Sequence, residues 1–64
     1  MVEYDVYKVI KVFKSCKTYE QYLVAKKMAY NLRKMYGAKI PIDLYMNLVD
    51  IRNLTLIRII NEMD

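Results

Sequence analysis

The chain has 64 residues, 56% of them apolar or aromatic (AVILMFWYC), and carries 11 Lys/Arg against 7 Asp/Glu for a net charge of +4. A single domain of this size buries only about 60% of its unfolded surface; this much apolar content therefore points to a homo-oligomer, most simply a two-fold dimer. With no histidine, one cysteine and one glycine, a His-based triad or base, a zinc site within one chain and a glycine-rich phosphate loop are excluded, and the chain reads as a non-enzyme without cofactors.

Residues 2–14 (VEYDVYKVIKVFK) form the first element. Val2, Val6, Val9 and Phe13 recur at spacings of 4, 3 and 4 with Ile10 beside them, which makes one helical stripe. Lys8, Lys11 and Lys14 fall on the other side, and Glu3 and Asp5 sit where the helix dipole favours acids. The Val, Ile, Tyr and Phe content also suits a strand, but the alternation Val2-Tyr4-Val6 fails at Val6-Tyr7 and Val9-Ile10.

Cys16 lies in the turn that follows, between Lys14 and Lys17 and ahead of a helix start. Those neighbours would lower a thiol pKa, whereas a small half-buried residue in a tight turn would have no chemical role. A lone cysteine makes no internal disulfide, which fits a reduced setting.

The second helix spans 18–36. Thr18 is a good N-cap, Gln21 three residues on completes a capping box, and Gly37 supplies the left-handed stop. Tyr22, Ala25, Ala29, Leu32 and Tyr36 repeat at spacings of 3, 4, 3 and 4, and Val24, Met28 and Met35 widen that stripe. After a connection at 38–40, Pro41 fits the first turn of a third helix over 41–63, with Asp43 near its positive end. Leu48, Val49, Leu56, Ile59, Ile60 and Met63 define its main apolar side, and Leu44, Ile51, Leu54 and Ile57 spread apolar character round most of the rest. Such a helix belongs at the centre of a bundle or an oligomer. Arg52 interrupts it: either it pairs with an acid, or the helix breaks and Asn53 caps a fourth one. The expectation is an all-α, three-helix bundle-like domain in residues 1–64. A self-association surface would draw on Met28, Leu32, Met35, Ile51, Leu56, Ile59 and Ile60.

No stretch approaches the roughly 18 uncharged apolar residues of a membrane span. Glu3 and Asp5 stand where a signal peptide would carry positive charge. A cytoplasmic protein is expected. Residues 1–39 hold nine Lys/Arg against three acids, and residues 40–64 two Arg against four, so the basic part can face an anionic partner or the acidic part of another copy. The third-helix acids Asp43, Asp50, Glu62 and Asp64 are spread too widely for a paired-carboxylate site.

The strongest functional candidate is a basic-aromatic surface. Lys26 and Arg33 are seven apart, as are Lys27 and Lys34, with Tyr19, Leu23 and Tyr30 between the rows. Lys8, Lys11, Lys14 and Lys17 add to it. Such cations neutralise phosphates, and tyrosines bond phosphate or stack on exposed bases; the competing reading is an ordinary solvated face. A helix-turn-helix is disfavoured, because Arg33 and Asp43 occupy positions that should be small or inward-facing and apolar. A ribbon-helix-helix dimer would need stricter alternation over residues 2–13.

Ser15-Cys16-x-Thr18-x-Glu20-Gln21, followed by Ala25 and Met28, resembles a segment of short phage-encoded proteins of unknown role, which place S-C-x-T-x-E-Q before an amphipathic helix. The resemblance covers about a third of the chain. It implies a viral or mobile-element accessory protein in a host cytoplasm, and no ligand or catalytic residue. The lysine- and tyrosine-rich composition also fits an AT-rich or thermophilic source. The function expected is nucleic-acid association through the Lys/Tyr face. The alternative is a protein-interaction module taking a host or viral helix on its excess apolar surface, and a third is an amphipathic helix resting on anionic lipid.

Overall fold

Three helices, α1 (Val2–Ser15), α2 (Tyr19–Tyr36) and α3 (Ile42–Glu62), with one 3-10 turn (Gly37–Lys39), make up the computed structural model, which describes residues 2–62. The all-α, three-helix expectation is met. Met63 and Asp64, assigned above to the apolar side and the acids of the third helix, lie outside the described residues.

The stripe of α1 decides helix against strand at its N-terminal segment. Val6, Val9 and Phe13 are buried on one side, as the 4-3-4 spacing requires, so no ribbon forms there. α2 starts on the expected capping box. The Thr18 hydroxyl accepts from the Gln21 amide at 3.2 Å, and the Gln21 side-chain oxygen accepts from the Thr18 and Lys17 amides at 3.3 and 2.7 Å. Together these satisfy amides that a helix start leaves open. α2 ends at Gly37, whose φ of +54° is strained for any other residue. An added Cβ would meet nothing within 4 Å, so the glycine is needed for its backbone alone.

Pro41 precedes α3 by one residue instead of lying within its first turn; its carbonyl accepts from the Tyr45 amide at 2.9 Å. The buried Ile40 anchors the connection to the core. α3 then runs unbroken through Arg52 and Asn53, so no fourth helix begins at Asn53.

The inward line of α3 differs from the expected one. Leu44, Leu48, Thr55 and Ile59 are buried, while Ile60 is exposed. A threonine is the centre of that line because its hydroxyl has partners there: it bonds the Ile51 carbonyl at 2.6 Å and the Phe13 carbonyl, across the interface with α1, at 3.3 Å.

Arg58 reinforces the same junction. Its guanidinium donates to the carbonyls of Phe13 (3.3 Å), Lys14 (3.3 Å) and Cys16 (2.5 Å). The Phe13 and Lys14 oxygens belong to the last turn of α1, at the negative end of the helix dipole, and the Cys16 oxygen to the turn that follows. Arg58→Ala should therefore cost about 2–3 kcal/mol, the range for charge-assisted hydrogen bonds. Arg58→Lys should recover only part of it, because an ammonium cannot span three carbonyls as a planar fork does. Urea unfolding of both variants checks this; a loss below about 0.5 kcal/mol in the alanine variant would match an ordinary surface change and refute the capping role.

Candidate nucleic-acid interface

The helices divide the nine expected basic and aromatic contacts among separate regions. Lys26, Tyr30 and Arg33 of α2 line a cleft shared with Tyr45, Leu48, Val49 and Arg52 of α3. Lys8 lies elsewhere, in a groove between α1 and α2 beside Asp5, Met28 and Met35. Lys14 and Lys17 flank a hollow at the α1–α2 turn with Cys16, Arg58 and Glu62. Lys11, Lys27 and Lys34 are exposed. The expected face is therefore several surfaces, and the α2–α3 cleft is the one that gathers cations and tyrosines around a cavity.

That cleft follows from helical spacing. Lys26, Tyr30 and Arg33 sit at spacings of 4 and 3 along α2, and Tyr45 and Arg52 are two turns apart on α3. Ala29 between them has a side chain too small to fill the space. The resulting volume is about 120 Å³, well above the roughly 10–15 Å³ that one water requires. Three cations line it and, among the described residues, no carboxylate does. The guanidinium carbon of Arg33 lies 5.7 Å from the centre of the Tyr45 ring, close enough for cation–π attraction to hold it at the cleft wall.

Sequence reasoning found the α2 wall and missed the α3 wall. Arg52 stood out only as a cation in an apolar run. It is half-buried at the cleft, which neither the pairing nor the helix-break reading anticipated. Tyr45 carried no separate signal.

The expected oligomer residues also disperse. Leu32 and Ile59 are buried in the chain's own core and are removed from any outer surface. Met28 is half-buried and Met35 exposed in the α1–α2 groove. Ile51 and Leu56 are half-buried, and Ile60 is exposed on α3.

Cys16 is buried, and its thiol bonds the Val12 carbonyl at 3.2 Å. Burial pushes the thiol pKa up, with the positive charge of Arg58 opposing that rise. The lysine neighbours that made a reactive thiol conceivable do not prevail over desolvation. Cys16 should react with a disulfide reagent much more slowly in the folded protein than in urea; equal rates would contradict its burial. The Tyr36 hydroxyl bonds the Asp5 carboxylate, tying the end of α2 to the start of α1. That hydrogen bond, then burial and the charge of Asp5, raise the Tyr36 pKa. The neutral phenol thus adds stability that is present below the ordinary tyrosine pKa and lost as pH rises through the raised one.

Among the described residues, no helix is long and apolar enough to cross a membrane, and no group of three His, Cys, Asp or Glu is placed to hold a metal ion. No family model matches the chain, and neither the curated proteins nor the solved structures yield a match.

Proposed function

We propose that this protein is a small basic accessory protein that self-associates and binds nucleic acid through the α2–α3 cleft. The observation that carries the reading is the convergence of Lys26, Arg33 and Arg52 with Tyr30 and Tyr45 on one cavity that, among the described residues, no carboxylate lines. Phosphate is the anion that such a set suits: arginine forks match its oxygens, and lysine adds a point charge. Tyr30, 65% exposed at the rim, offers a ring on which an unpaired base can stack. The set contacts backbone and offers no fixed pattern for reading base edges, so binding should be weakly selective for sequence. The accessory, viral-type setting rests on the resemblance of the Ser15–Gln21 segment.

The test is binding to duplex and single-stranded oligonucleotides over a salt series. Three engaged cations imply a log–log slope of about −2.7 on duplex, from roughly −0.9 per phosphate neutralised. No binding at low salt, or binding indifferent to salt, would reject the reading.

A further inference from the structure

α3 carries a second apolar line that the monomer covers only in part, at Val49 and Leu56. Ile42, Met46, Val49, Asn53, Leu56 and Ile60 follow each other at spacings of 4, 3, 4, 3 and 4. This is the a/d pattern of a coiled coil over the 21 residues of α3, or three heptads. The line lies away from Leu44, Leu48, Thr55 and Ile59, which face the core. Ile42, Met46 and Ile60 are 69%, 51% and 53% exposed, Asn53 is exposed, and Val49 and Leu56 are half-buried. Ile57, beside the line, is 55% exposed and broadens it.

We infer that this line is the seam by which two copies of the chain pair, with their α3 helices parallel and in register. The inference deepens the self-association part of the proposed function and rests on that reading; the seam borders the α2–α3 cleft and shares Val49 with it.

Three observations select a second copy as the occupant. The first is Asn53, the polar residue midway along the seam. In a parallel pair equivalent positions meet, so Asn53 faces the partner's Asn53, and each amide supplies a donor and an acceptor to the other. A lone asparagine at such a position is a known specifier of register and two-strandedness. Against an apolar partner helix, or reversed, it would be left unpaired.

The second is charge. With Met46, Asn53 and Ile60 at the a positions, one flank of the seam carries Tyr45 and Arg52, backed by Lys26 and Arg33 across the cleft, and the other carries Asp43 and Asp50. In a parallel pair each g position meets the e position of the partner's next heptad, so Tyr45 lies against the partner's Asp50 and Arg52 against the partner's Ile57, and no like charges are opposed. An antiparallel pair would set like flanks together. The third is size: below about 70–80 residues one core seldom suffices, and pairing along a helix about 31 Å long supplies a second apolar layer.

Sedimentation equilibrium of the full chain tests the pairing, together with Met46→Glu and Ile60→Glu. Both positions are exposed in the monomer, so circular dichroism should show the helices retained. The unaltered chain should be a dimer, its thermal midpoint should rise with concentration, and each variant should weaken association about a hundredfold or more. A third variant, Ile60→Cys, reads the direction. Parallel pairing places the two introduced thiols together, so mild oxidation should give a cross-linked dimer, while the unaltered chain with its buried Cys16 should not cross-link. A chain that sediments as a monomer with a concentration-independent midpoint would overturn the seam, as would glutamate variants that still pair. A dimer without the cross-link would overturn the parallel arrangement. Gel shifts on the same variants read nucleic-acid binding separately, so glutamate variants that still pair while nucleic-acid binding is retained refute the seam and leave the cleft standing.

Discussion

Replacing Phe13 by alanine is expected to cost the fold about 3–5 kcal/mol, the usual range for removing a buried phenylalanine. Phe13 is completely buried, and its ring lies 6.0 Å from that of Tyr22 at a tilt of 54°, an edge-biased geometry that adds to its area burial. It also stands where the end of α1 meets α3, its own carbonyl accepting from Thr55 and Arg58. Collapse into the vacated space would displace that carbonyl, so the cavity should relax little. A domain of 64 residues has a total stability of roughly 3–10 kcal/mol. The variant should therefore be largely unfolded, or melt some 12–40 °C lower, at about 4–8 °C per kcal/mol. Val24→Ala, at a site 61% exposed on α2, is the control and should change stability by no more than about 0.5 kcal/mol. A Phe13→Ala protein that melts cooperatively within a few degrees of the parent would show that the core is not organised around this ring.

Reversing two charges at the cleft should remove most nucleic-acid binding, and reversing two elsewhere should not. Lys26→Glu with Arg33→Glu takes the net charge from +4 to 0, because each replacement changes it by two. Lys8→Glu with Lys11→Glu on α1 makes the same change away from the cleft. If the cations act as a site, the first pair should make the log–log salt slope shallower by about 1.8 and weaken low-salt binding about a hundredfold or more. The second pair should leave the slope nearly unaltered, with only the smaller loss that net charge imposes at long range. Equal losses from both pairs would mean that the protein attracts nucleic acid by overall charge alone. Arg33 also gives up its contact with Tyr45, so helicity should be checked in the first pair; an exposed cation–π contact is worth only about 0.5–1 kcal/mol.

The helices of this protein were readable because their signals are local. The Thr18–Gln21 box, the Gly37 stop and the α1 stripe each operate within a few residues, and the structure contains all three. The cleft was half readable. Lys26, Tyr30 and Arg33 share a face of one helix, and that follows from spacing. Which face of α3 would stand opposite them could not be read, since apolar residues surround that helix.

The amino-acid sequence by itself determines three helices, their caps, and a chain without histidine chemistry. Only the tertiary structure decided how α3 is turned. Leu48 and Ile60 are equally plausible core residues by hydropathy, yet one is buried and the other half-exposed. The orientation is set by polar groups that must be satisfied. The carbonyls closing α1 need donors, and Thr55 and Arg58 supply them only when α3 turns that side inward. With that side inward, Arg52 lies at the α2 cleft and the line from Ile42 to Ile60 faces outward.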